Sequence, residues 1–221
     1  MSESPHPAGV VDLLGVLAYA ELTAFLRLAE DATRLAPSLG ERAALSDLAA
    51  AEYGHFRLLR DRLTALGVAP EEAMAPFVGP LDDWHALTRP KDWPEALVKA
   101  YVGTGIAGDF YREAARLLDA ADRELVEEVL ADADRSEFVV ERVRAVLAED
   151  PKVAGRLALW SRRLVGEALS QAHRVAAARP ALARLLADQI GDDLAELGRL
   201  FARLTEQHGK RMAALGLTPG P

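Results

Sequence analysis

Cysteine is absent from the 221-residue chain, and that absence removes three chemistries at once: a disulfide framework, a thiolate zinc site and a cysteine nucleophile. Any metal would have to be held by carboxylates and by the five histidines His6, His55, His85, His173 and His208. An excess of positive charge is also missing. Acidic residues outnumber basic ones by 34 to 26 and the formal charge is −8, so no global field draws nucleic acid or an anionic membrane. No apolar run approaches the roughly 18 residues of a membrane span. The opening Met-Ser-Glu-Ser-Pro-His-Pro lacks the basic region and hydrophobic core of a signal peptide. The expectation is a soluble, cytoplasmic protein. What is present is ordinary for a globular chain: 50% hydrophobic and 27% charged residues, at a length that suits one domain over residues 1–221.

Runs of β-branched residues are scarce, while Ala, Leu, Glu and Arg are abundant and Pro and Gly widely spaced. That pattern predicts helices nearly everywhere. A first helix is expected from about Val11 to Leu35, stopped by Ala36-Pro37. A second opens on Ser38-Leu-Gly-Glu41, a capping box, and runs to Leu66, where Gly67 supplies the stop. From Val68 to Trp93 four prolines (Pro70, Pro76, Pro80 and Pro90), with Pro94 just beyond, break any helix, and Trp84-His85 sits in the middle. A connection of roughly 26 residues is too long for a hairpin turn and suits the crossover of a four-helix bundle. Third and fourth helices follow, from Trp93 to Leu118 and on to Ala148 across the Asp119–Asp122 turn. Two more are expected over Val153–Ala178 and Ala181–Leu215. The fold class is all-α: a bundle over about residues 11–148 with two C-terminal helices over 153–215.

Carboxylates occupy places where leucines belong. Around Glu21 the neighbours along one helical face are Leu14, Leu17, Ala18, Ala24, Phe25 and Leu28. Around Glu52 they are Leu45, Leu48, Ala49, Phe56 and Leu59, with His55 as the remaining one. A buried ionised carboxylate costs several kcal/mol unless it is paired or binds metal. Glu52-Tyr-Gly-His55 is an E-x-x-H tetrad, and Glu21 and Glu52 are equidistant from the Ala36-Pro37 turn. Residues equidistant from the turn of an antiparallel hairpin meet at one height, so these groups can share a cation. A buried Glu–His or Glu–Arg pair is the non-metal alternative. The same mirror test on the next hairpin selects Asp109 and Asp132, although Glu113 with Glu128 passes it equally. Three residues after Asp132 stands Arg135, which cannot ligate a metal.

The runs Ala18-Tyr-Ala-Glu21-Leu, Ala50-Ala-Glu52-Tyr-Gly-His55-Phe and Lys99-Ala-Tyr-Val-Gly-Thr-Gly-Ile106 resemble the ferritin-like superfamily, and within it an actinobacterial-type branch related to the MiaE-type tRNA hydroxylases. The resemblance implies a carboxylate-bridged iron centre that activates dioxygen, held by Glu21, Glu52 and His55, with Asp109 and Asp132 as shorter carboxylates in the second half. Arg135 stands where a histidine belongs, so it implies one iron or two, the second half-site being degenerate. The function expected is metal binding, extending to an iron-dependent oxidoreductase or hydroxylase. The alternative is a non-catalytic bundle with a structural or interaction role. The expected partners are an unidentified substrate and, as a homodimer, a second copy of the chain; tRNA is disfavoured by the net charge. Trp84 and His85 are expected to anchor the crossover or to lid the bundle, and Glu167 to be half-exposed. His173 and His208 are expected at the surface. Gly103, Gly105 and Gly108 follow no strand, so they permit close helix approach rather than forming a phosphate loop.

Overall fold

A computed structural model describes residues 8–116, 118–131, 137–190 and 194–218. Every regular element among them is helical. They are α1 (Ala8–Arg34), α2 (Leu39–Ala65), α3 (Pro70–Met74), a 3₁₀ turn at Ala75–Phe77, α4 (Val78–Leu87), α5 (Trp93–Ala115), α6 (Ala120–Ala131), α7 (Glu137–Glu149), α8 (Val153–Ala178), α9 (Pro180–Ile190) and α10 (Leu194–Leu215). The expected fourth helix is thus described as α6 and α7, either side of residues 132–136, and the expected sixth as α9 and α10.

The α1–α2 hairpin forms where the sequence punctuates it. Ser38 Oγ accepts the backbone N–H of Glu41 at 3.2 Å and its hydroxyl donates to Glu41 Oε2 at 2.9 Å, satisfying an end donor that the helix itself cannot pair. Gly67 closes α2 with φ +72°, a conformation that disfavours any side chain. The crossover departs from expectation, because it holds two helices. Its prolines do not break them: Pro70 lies in the first turn of α3, where the missing N–H has no intrahelical partner to lose, and Pro80 likewise falls within the first turn of α4.

Two apolar clusters make the core. One joins Leu13, Leu14 and Leu17 of α1 to Leu59 and Leu63 of α2, Ala114 of α5 and Val126 of α6. The other joins Leu28, Leu45, Leu97, Val102, Val143, Leu164 and Met212, from α1, α2, α5, α7, α8 and α10. Each fully buried Leu contributes about 1.5–3 kcal/mol relative to exposure. Along α1 the change from one cluster to the other falls between Ala18 and Leu28, and along α2 between Ala49 and Phe56. Glu21 and Glu52 lie at that seam.

α1 is long and apolar enough, by length and composition, to cross a membrane. This corrects the expectation that no apolar stretch approaches the length of a membrane span. Here 61% of the apolar stretch is buried inside the fold, and buried Asp12 receives Arg179 Nε at 3.1 Å from the α8–α9 junction.

Trp84 and His85 of α4 anchor the crossover. The Trp84 indole N–H donates to the Leu164 carbonyl of α8 at 3.2 Å. Lys99 Nζ lies 4.8 Å over the same ring and donates to the Thr88 carbonyl at 2.8 Å. Burial pulls the Lys99 ammonium down to about 8. Gly103 leaves room for the ring: a Cβ there would lie 3.0 Å from Trp84. His85 packs edge-on to Trp84 at 4.8 Å, and its Nδ1 is buried with no hydrogen-bond partner. Burial, then the charges of Lys99 and Arg27, hold the His85 imidazole down to about 3. The unfolded chain takes up this proton near pH 6.5 and the folded one does not, so His85 costs stability progressively as pH falls from about 6.5 toward about 3. His85→Phe should flatten that part of the stability–pH profile and add about 1 kcal/mol near neutrality by removing the unpaired nitrogen. Urea melts of both proteins at pH 4.5 and pH 8 check it; parallel profiles would refute it.

Candidate metal centre

Three side chains from the first hairpin converge at the seam of the core. His55 Nδ1 lies 3.3 Å from Glu21 Oε2 and 3.7 Å from Glu52 Oε2. One donor atom from each lies within 4.8 Å of the other two, and all three residues are buried. The geometry follows from local structure. Glu52 and His55 share a face of α2 at helical spacing, and the short turn after α1 sets Glu21 opposite them.

The electrostatics are those of a site that wants a cation. Burial first, then the hydrogen bond and charge of Glu52, push the Glu21 carboxyl well above the usual range, against a smaller opposing pull from His55. Burial pulls the His55 imidazole down, but hydrogen bonds and charge from Glu21 and Glu52 outweigh it and hold it up at about 10. Protons therefore balance the charge of the two carboxylates in the metal-free protein. A divalent ion offers the same compensation, and two carboxylates with one imidazole suit iron or another first-row metal rather than a thiophilic one. The residues present fit such an ion.

Tyr111 of α5 also belongs to these surroundings. It is buried, and burial with the charge of Glu21 pushes its hydroxyl above the ordinary tyrosine range. Its one sequence signal was its place beside Asp109 and Phe110 on α5. Phe25, Tyr53 and Phe56 pack with ring centroids 5.0 and 5.6 Å apart.

Asp109 is buried on α5 but is occupied otherwise. Arg211 Nη2 of α10 lies 2.5 Å from its Oδ2, and Arg112 Nη1 donates to its Oδ1 at 3.2 Å. Gly105 makes the space for Arg211, whose side chain would collide with any Cβ there. Asp132 and Arg135 lie outside the described residues; the guanidiniums found on Asp109 come from Arg211 and Arg112. Glu113 receives Arg203 at 3.0 and 2.9 Å and Arg116 at 3.0 Å. Glu167 is half-buried on α8, outside the three-ligand group. His173 is exposed as expected. His208 is not: it is half-buried with Nδ1 unpartnered, and burial, then Arg211, lower it from the usual imidazole range. The burial comes from the packing of α10 against α5, and helical spacing sets Arg211 one turn beyond His208.

An all-helical bundle whose core seam carries two glutamates and a histidine defines a ferritin-like protein. The sequence matches the family described as "Ferritin-like domain, actinomycetes" over residues 5–189, and the chain belongs to that family. Among solved structures it is similar to a Synechococcus protein described as having aldehyde deformylating oxidase activity. The two share 18% identity at a TM-score of 0.73, over 99% of this chain and 95% of that one, a likeness that carries the fold. Among curated proteins none matches the sequence. α10, which supplies Arg203, His208 and Arg211, lies beyond the residues matched to the family.

Proposed function

We propose that this chain binds iron through Glu21, Glu52 and His55 and is an oxidoreductase that hydroxylates an organic substrate. The observation that carries the reading is the convergence of two buried carboxylates and one imidazole on a single point. Iron bound there would supply redox chemistry and dioxygen activation, with an external reductant providing electrons. The protein's own residues do the rest. His55 gives up its proton to act as a neutral ligand. Glu52 is the ligand that also lines a cleft open to solvent, so substrate meets the site on that side. Tyr111, buried within reach of the Glu21 charge, with Leu17 and Phe56 of the same apolar cluster, would exclude water from the core side. Because Asp109 is held by Arg211, we propose one ion rather than two. The cytoplasm, a reducing compartment, is the setting we assign. The net charge of the chain favours a small substrate over tRNA.

A second reading, a non-catalytic bundle with a structural role, is favoured by one observation: an arginine already neutralises Asp109. Metal analysis of protein purified without chelators separates the two. About one iron per chain is expected, falling to background in Glu52→Gln. No retained metal in the unmodified protein would select the structural reading, and two tightly bound ions would refute the single-ion site.

A further inference from the structure

A cleft of about 570 Å³ runs along α5 between Ala100 and Arg116 and reaches Glu52. That length of helix spans about 24 Å, and the volume is that of a pocket for a small organic molecule. Its two ends differ in chemistry. One is apolar, walled by Leu28, Leu48, Ala100 and Val139, of which Leu28 and Val139 are core residues. The other carries four arginines, Arg112, Arg116, Arg203 and Arg211, against two carboxylates, Asp109 and Glu113. Each carboxylate is shared by two guanidiniums: Asp109 by Arg112 and Arg211, Glu113 by Arg116 and Arg203.

Guanidiniums thus outnumber these carboxylates at one end of a cleft in a protein whose formal charge is −8. The outer pair is the more accessible to a ligand. Arg112 and Arg116 are exposed, one in the last turn of α5 and the other just past its end, and each donates through a single Nη1 to its carboxylate, at 3.2 and 3.0 Å. A guanidinium has five donors in a planar fork, so both retain donors that a carboxylate or phosphate oxygen can accept. Ordinary surface arginines lack a cavity beside them; these stand at the mouth of one that leads to Glu52.

We propose that this cleft binds an amphiphile with an oxyanion head, a carboxylate or a phosphate monoester. The head is received by Arg112 and Arg116, and the apolar body lies along α5 past Glu52 toward Leu28, Leu48 and Val139. The inference deepens the proposed function by naming its substrate class and rests on that reading for the word substrate; the binding itself does not. In this pose the site acts on the apolar body rather than on the charged end.

Calorimetric titration of the full-length protein with octanoate, octyl phosphate and octanol tests it. At least one anion should bind about tenfold or more tighter than octanol, as charge-assisted hydrogen bonds require, and that preference should shrink as salt is raised. The better of the two anions identifies the head. Arg112→Gln/Arg116→Gln, checked for native helicity, should bind the anions no better than octanol. Glu52→Gln is titrated alongside, so that anion capture by a bound ion is separated from capture by the arginines; it should keep the preference while losing metal. Equal affinities for the anions and octanol in the unmodified protein, or an undiminished preference in the double variant, would overturn the proposal. A preference retained by a protein that binds no metal would leave the cleft assignment standing and remove only the metal reading.

Discussion

Glu21→Gln is expected to lower metal affinity by about a hundredfold or more while making the metal-free protein more stable at neutral pH. Both effects have one cause. Glu21 is buried beside Glu52, and its carboxyl is held well above the usual range by burial and then by that neighbour. A group whose folded value is raised contributes stability below its unfolded value, near 4.3, and loses that contribution as pH rises through the folded value. Glutamine mimics the protonated form, so the stabilisation should emerge above the unfolded value and vanish at low pH. Glu52 remains as the counter-charge to His55, so the imidazolium is not stranded. A gain of about 1 kcal/mol corresponds to about 2–4 °C in Tm for a chain of this size. Melting curves at pH 4 and pH 8 without metal, with metal titrations on the same samples, read both effects. A destabilised variant at pH 8 that still retains metal would refute the account.

The second large effect concerns the Asp109–Arg211 pair, whose side chains are 8% and 13% exposed. Removing one member of a buried pair leaves an uncompensated charge, at a cost of about 3–5 kcal/mol. Arg112 still reaches Asp109, so Arg211→Met should cost about 3 kcal/mol, the lower end of that range. The double variant Arg211→Met/Asp109→Asn should recover most of the loss, because neither charge is then stranded. Denaturant unfolding of the two single variants and the double variant closes the cycle. Additive losses would show that the two side chains do not stabilise one another.

The first hairpin was legible because its evidence is local. Glu21 and Glu52 stand out against apolar faces whose spacing a helix dictates, and the Ala36-Pro37 turn puts them at one height. The all-helical layout follows from the same periodicity, and the family match and structural likeness bear it out. The helices inside the crossover were harder to read. Proline is a breaker in mid-helix and an initiator in the first turn, and only position decides which. The partner of Asp109 was not legible. Arg211 lies on the last helix, and nothing in an i,i+4 pattern links residues so far apart. His208 was misplaced for the same reason: its partial burial comes from the docking of α10 against α5, which no local pattern around it reveals. The arginines of the cleft show only as mixed charge in one dimension; their two-to-one sharing of carboxylates exists only once α5 and α10 are side by side.

The supply of Arg211 by the last helix also sets the order in which the protein can be completed on the ribosome. Asp109 is synthesised about a hundred residues before its partner. At about 5–20 residues per second, several seconds or more separate the two. During that interval the glutamates and histidine of the first hairpin can already meet, whereas that wall of the cleft has no guanidinium from α10 to set against Asp109. The ligand cluster is then assembled early and its entrance late, so a nascent chain interrupted before α10 would carry the three ligands without the closed approach to them.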